Sequence, residues 1–151
     1  MKVIGIDPGQ KGALVILDGD IITLHQMPED ATGILAILSE HTTDSHVFLE
    51  KAQAMPGQGN VSMFNYGVGF GTILGILTAL KLPHTLVHPK TWCKVMHQGT
   101  KADEAKKRSL EAARRLYPHV EFIRPRCRNP DEGYIDAILI AGYGKRALNL
   151  N

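Results

Sequence analysis

Aromatic residues make up only 6% of this 151-residue chain, Trp occurs once and Cys twice. Cys93 and Cys127 stand in no metal-binding or redox spacing, so reduced thiols are expected rather than a disulfide framework. Long uninterrupted apolar runs are missing too. The stretch from Gly67 to Leu80 is broken repeatedly by Gly and Thr, and is expected to fall short of a membrane-spanning helix. The opening MKVIGID lacks the apolar core and small-residue cleavage site of a signal peptide, which points to a cytoplasmic protein. Fifteen Gly and eight Pro are ordinary numbers and exclude a collagenous or wholly disordered chain. A mass of 16.6 kDa with mean hydropathy −0.08 fits a single domain spanning residues 1–151.

Net charge is only +2, but its distribution is uneven. Between Lys81 and Arg128 twelve Lys/Arg face four acids, a local +8, and the remainder carries −6. A basic block beside an acidic remainder predicts a polyanion on one face and a cation site elsewhere.

Hydrophobic patterning predicts a mixed α/β protein. Lys2–Asp7, Gly12–Leu17 and Ile21–Met27 read as strands, and Asp18-Gly19-Asp20 marks a hairpin turn between the last two. A helix is expected to begin near Pro28-Glu29-Asp30, with Ile34, Leu35, Ile37 and Leu38 on its apolar face. His46–Glu50 is a fourth strand, and Gln53–Ser62 a Gly/Pro/Gln-rich loop. Phe64–Leu82 is an apolar helix whose Gly67, Gly71 and Gly75 share one face, where another element can approach closely. His84–His88 completes five strands. Helices follow at Pro89–Met96, Ala102–Tyr117 and Asp131–Leu148, with a basic loop from Arg124 to Pro130.

The acids are placed where chemistry is done. Asp7 ends the first strand and Glu50 the fourth, while Asp131, Glu132 and Asp136 open the last helix. Acids at strand ends sit at the sheet edge where α/β folds bind ligands. If the first and fourth strands are parallel neighbours, Asp7 and Glu50 project from the same end, and the last helix need only cross that end. Carboxylates so gathered repel one another unless a cation compensates, and hard divalent ions prefer such oxygen ligands. Taken singly, Asp7 also suits a turn before Pro8-Gly9, and Asp131 suits a helix cap.

At these residues the chain resembles a known family. Ile4-Gly5-Ile6-Asp7-Pro8-Gly9 followed by Gly12-Ala13 is similar to the opening of RuvC-type Holliday junction resolvases. Phe48-Leu49-Glu50, with Asn65-Tyr66-Gly67-Val68-Gly69, resembles their second acid and the helix start that follows it. Tyr134 to Ala141 is similar to their C-terminal acid motif, and His88-Pro89-Lys90-Thr91-Trp92 resembles a segment found particularly in phage-encoded members.

The resemblance implies a ribonuclease H-like fold. Its five-stranded mixed sheet has three antiparallel strands and then two parallel ones, flanked by helices. It also implies a homodimer that cleaves four-way DNA junctions in paired symmetric nicks, with two Mg²⁺ ions per site and no nucleotide cofactor. Mn²⁺ fits the same oxygen ligands. Asp7, Glu50 and Asp136 match the metal-binding acids. The position three residues before the last Asp is Gly133, so Glu132 or Asp131 is left for the fourth. An i, i+4 spacing favours Glu132, and Asp131 stays open at the first turn.

Lys94 and Lys101 fall near two functional lysines of the family, Lys101 in a catalytic role. Lys106, Lys107, Arg114 and Arg115 form a backbone-binding set. Phe64 and Tyr66, beside Met63, either wedge between bases or anchor the glycine-faced helix in the core. The Gly67, Gly71, Gly75 face is alternatively the dimer seam. Two other readings compete. A junction-binding protein without catalysis would gain from losing the acids, and actin-like kinases need two copies of a fold that 151 residues supply once.

Overall fold

The computed structural model describes residues 1–150 except 52, 54–56 and 58. The chain opens with three antiparallel strands, β1 (Lys2–Asp7), β2 (Ala13–Asp18) and β3 (Ile21–Gln26). Helix α1 (Ala31–Ser39) leads to β4 (Ser45–Glu50), helix α2 (Asn60–Ala79) to β5 (His84–Val87), and helices α3 (Pro89–Met96), α4 (Ala105–Leu116) and α5 (Glu132–Ala147) finish the chain. The sheet order is β3-β2-β1-β4-β5, with β1 parallel to β4 and β4 parallel to β5. This is the five-stranded mixed sheet that the patterning predicts.

Local chemistry sets the boundaries. Gly19 takes a φ of 58° in the β2–β3 turn, a conformation a Cβ would disfavour. Asp30 lies outside α1 as its N-cap and accepts from the Gly33 N–H at 2.9 Å. Asp131 does the same for α5, accepting from the Tyr134 N–H at 3.0 Å. Pro89 occupies the first turn of α3, where no N–H is missed. The expected Gln53–Ser62 loop falls partly on residues outside those described. Its end is helical, because α2 already starts at Asn60.

Helix α2 has 20 residues and holds an 18-residue stretch of mean hydropathy 1.3, long and apolar enough by length and composition alone to cross a membrane. The expectation of a shorter stretch rests on Gly67–Leu80 alone, whereas the helix that contains it runs from Asn60 to Ala79 and reaches that length. Ile73 and Leu77 are its buried residues, packed against the sheet.

Strand alternation divides the core between the two faces of the sheet. Ile4, Ile6, Leu14, Ile16, Val47 and Leu49 point to the side covered by α1 and α2. Val3, Val15, Leu17 and Phe48 point to the side covered by α3, α4 and α5. Helix α5 is buried nearly all round, because it lies between the sheet and the α3–α4 pair. Its contact with the sheet is close. A Cβ on Gly5 would strike the Ala137 carbonyl and the Ala141 backbone, and one on Gly133 would strike the Lys11–Gly12 turn.

Candidate active site

The same alternation aims the acids. Asp7 follows Gly5 by two residues and Glu50 follows Phe48 by two, so both carboxylates share the α5 face. Parallel pairing of Ile6 with Leu49 then sets Asp7 beside Glu50 at the ends of their strands. Helix α5, seated on Gly5, brings Asp136 to the same end. The gathering predicted from the strand ends is present.

The three carboxylates are buried and electrostatically coupled. Burial raises Asp7 above the usual carboxylate range, opposed by the Gly9 N–H that donates to Oδ1 at 3.3 Å, and the charges of Asp131 and Glu132 add to the rise. Burial pushes Glu50 up to about 7 against the pull of the Trp92 indole, and Asp7 adds to the rise. Burial, then the charges of Asp7 and Glu50, push Asp136 up to about 7, with the Ser109 hydroxyl pulling the other way. Among the described residues no Lys or Arg is ion-paired with any of the three.

As a donor set, hard, buried, mutually repelling oxygens with no organic cation among them fit a divalent metal ion. The arrangement does not enclose one as it stands. Among the described residues, no three His, Cys, Asp or Glu come together closely enough to hold an ion.

The alternatives at the start of α5 separate here. Both Asp131 oxygens are engaged: Oδ1 by the Tyr134 N–H and by Arg124 Nη2 at 3.0 Å, Oδ2 by Arg124 Nε. Arg124 also donates to the Lys11 carbonyl at 2.8 Å and stands over the Tyr134 ring. Asp131 is thus the cap and clamp of this corner, with both of its oxygens engaged within the chain. Glu132 is exposed, pairs with Lys106 at 2.8 Å, and lines a recess of about 230 Å³ together with Glu50 and Asp136.

The lysines divide similarly. Lys106 lines that recess, whereas Lys94 and Lys101 do not. Lys101 is exposed on the α3–α4 connection, where its backbone N–H donates to Glu111, so the structure does not bring it to the acids. Lys107 pairs with Glu104, and Arg114 is exposed. Arg115 Nη2 donates to the Gln98 carbonyl at 2.7 Å and so braces the α3–α4 connection.

Phe64 and Tyr66, expected to share a role, lie on opposite faces of α2. Phe64 is 71% exposed and anchors no core. Tyr66 is half-buried and close enough to Glu50 and Asp7 for their charges to add to the burial that pushes its hydroxyl up to about 12. It also lines a groove of about 1180 Å³ that runs between the β1–β2 turn, α1 and α2. Among the described residues nothing comes within 4 Å of a Cβ built on Gly67, Gly71 or Gly75, so the expected close packing is not seen there.

Cys93 and Cys127 are free thiols. Burial and the charges of Asp136 and Glu50 push Cys93 up to about 12, which keeps it from acting as a nucleophile.

Two kinds of residue escape sequence reasoning. Trp92 donates its indole N–H to Glu50 Oε2 at 2.7 Å, a contact between residues 42 apart that no local pattern signals. Arg126 and Arg128 stand exposed on a short hairpin closed by the Ile123–Pro130 bridge. Their signal was the run RPRCR, which a loop reading passes over.

A sheet of order β3-β2-β1-β4-β5, with acids ending β1 and β4 and a third delivered by the last helix, defines the ribonuclease H-like class of fold. Two solved structures of Thermus thermophilus RuvC carry that fold over this chain's length. One is 19% identical, with a TM-score of 0.64 over 97% of this chain and 96% of the other. The second, RuvC in complex with Holliday junction substrate, is 18% identical with the same TM-score and coverage. No protein-family model matches the sequence, and no curated protein is recovered as a match. At such identities the likeness establishes the fold.

Proposed function

We propose that this chain is a structure-selective DNA endonuclease that resolves four-way junctions and related branched DNA. The observation that carries the reading is the set of buried carboxylates Asp7, Glu50 and Asp136, free of Lys/Arg ion pairs among the described residues and flanked by the basic helices α3 and α4. The fold shared with a RuvC solved on a Holliday junction substrate supports the choice of substrate class.

Asp7, Glu50 and Asp136, joined by Glu132 at the rim, would hold Mg²⁺, with Mn²⁺ suited to the same oxygens. Bound there, divalent ions supply an activated water and neutralise the charge on the leaving oxygen of a phosphodiester. The chain's own residues do the rest. Lys106 beside the acids, with Lys94, Lys107 and Arg114 elsewhere on α3 and α4, offers phosphate contacts that orient the backbone without reading sequence. Tyr66 borders the acids and the long groove past them, and suits stacking or a phosphate contact with a strand leaving the site.

Paired nicks need two sites, and a homodimer supplies them. Val61, Phe64 and Val68 are exposed on the face of α2 that also bears Gly67, Gly71 and Gly75. An exposed apolar stripe without a neighbour among the described residues suits a two-fold contact with a second copy.

The test is a cleavage panel of four-way junction, three-way junction, flap and linear duplex, each with Mg²⁺ or EDTA. Cleavage of the branched substrates with Mg²⁺, its loss in EDTA, and loss of cleavage with retained binding in Asp7→Asn are expected. A folded protein that leaves every branched substrate intact with Mg²⁺ and with Mn²⁺ would sink the reading.

A further inference from the structure

Helices α3 and α4 do more than present positive charge beside the acids. Trp92 on α3 is 3% exposed and gives its N–H to Glu50 Oε2 at 2.7 Å. The edge of its ring system meets the His97 ring, with centroids 5.7 Å apart and an interplanar angle of 85°. His97 Nε2 lies 3.0 Å from the Ser109 hydroxyl on α4, and Ser109 and Asp136 line the same recess. Glu50 comes from β4, yet one of its oxygens is held from α3.

We propose that Trp92 is a positioning residue for the metal site: its indole N–H occupies one oxygen of Glu50 and turns the other toward a divalent cation. The inference rests on the metal-site reading above and deepens it.

The chemistry of the side chain suits the task. Indole N–H is a donor only, so it cannot compete for the ion as a ligand. It carries no charge, so it does not repel a cation as Lys or Arg would. The ring is rigid about two torsions and is locked in the core by its neighbours, so Glu50 is held in a single orientation rather than free to rotate. Partners of this kind, one step behind a ligand, change metal affinity by about 10- to 100-fold when removed. The competing role is plain core filling, in which a buried indole merely finds an acceptor for its N–H.

The experiment measures Mn²⁺ binding to the full chain by electron paramagnetic resonance at pH 8. It compares the wild type with Trp92→Phe and with β-(3-benzothienyl)alanine at position 92, which keeps the ring shape but puts sulfur in place of N–H. Trp92 is the chain's single Trp, so quenching of intrinsic fluorescence in the wild type should follow the same Mn²⁺ titration. The expected result is about tenfold weaker Mn²⁺ binding in both variants. Melting temperature of the benzothienyl variant and junction binding without metal should be unchanged, and cleavage should be restored by raising Mn²⁺.

The benzothienyl variant decides the matter if Trp92→Phe fails to fold. Wild-type Mn²⁺ affinity in that variant overturns the positioning role and leaves the metal site standing. Failure of the wild type itself to bind Mn²⁺ overturns the metal-site reading, and the positioning role with it.

Discussion

Gly5 in β1 lies directly beneath Ala137 in α5, so close that a single added methyl would meet the Ala137 carbonyl. This contact seats the helix that carries Asp136 on the strand that carries Asp7. It ties the geometry of the acids to the packing of the core, and the cost of disturbing it can be predicted. Gly5→Ala should destabilise the protein by about 1–3 kcal/mol, the usual penalty for overpacking a close contact. Because the obstacle is backbone rather than a movable side chain, α5 must shift, and Asp136 with it. Chemical denaturation measures the first effect. Activity lost beyond the fall in folded fraction measures the second.

The coupled acids predict how metal-free stability varies with pH. Glu50 and Asp136 titrate near 7 in the folded chain, from ordinary values of 4.5 and 3.8. Between pH 4 and 7 the folded state therefore binds more protons than the unfolded state. Stability of the metal-free protein should fall as pH rises through that window and level off above it. Asp136→Asn removes one buried charge. It should flatten the slope and stabilise the metal-free protein by about 1–3 kcal/mol at pH 8. Thermal melts in EDTA from pH 5 to 8.5 check both outcomes, and a flat wild-type profile would contradict the coupling.

Asp131 and Glu132 are adjacent but should fail in different ways. Asp131→Ala removes the α5 cap and leaves the largely buried Arg124 without its carboxylate, a loss of about 2–4 kcal/mol. Glu132→Gln loses only an exposed ion pair with Lys106 and should leave the melting temperature unchanged. If Glu132 is the fourth ligand, that variant should instead need several-fold more Mg²⁺ for half-maximal cleavage. Melting curves and Mg²⁺ titrations separate the two residues.

The Arg126–Arg128 hairpin tip should add to DNA affinity. Arg124 anchors its base through the Lys11 carbonyl and Asp131, and no ion pair engages the two tip arginines among the described residues. Substituting both with Ala should weaken junction binding and lower the slope of log K against log salt by about 0.9 for each phosphate no longer neutralised. An unchanged slope across 50–200 mM salt would remove the hairpin from the interface.

The exposed stripe on α2 predicts the oligomer. Phe64→Glu puts charge on a residue that is already 71% exposed, so folding should be unaffected. At micromolar concentration light scattering should report a dimer for the wild type and a monomer for the variant. Four-way junctions should then be cut by unpaired nicks. A monomeric wild type would refute the seam.

Much of this was legible from the chain itself. The short continuous apolar runs VIGID, ALVIL and VFLE mark strands buried on both faces, and an acid closing such a run sits at the sheet edge. Gly19, Asp30, Pro89 and the acids near the start of α5 punctuate the elements by local chemistry alone, so those boundaries needed no tertiary contact. The five strands and three of the site carboxylates are named by that information; that β1 lies parallel beside β4 is decided by the tertiary structure.

Other features were decided only when the elements met. Asp131 and Glu132 are equivalent in sequence. Arg124, folded back over the β1–β2 turn, pairs with Asp131 at the cap, whereas Glu132 faces the recess and pairs with Lys106 at its rim. Phe64 and Tyr66 are two residues apart, yet helical rotation sends one to solvent and the other toward Glu50. Helix α5 is buried almost all round, because α3 and α4 cover the side that a two-layer protein would leave wet. The Trp92–Glu50 bond joins β4 to α3 across 42 residues. Local pattern determines which face a side chain takes. Only packing of distant elements decides which buried charge finds a partner, and so which acids are left for a metal.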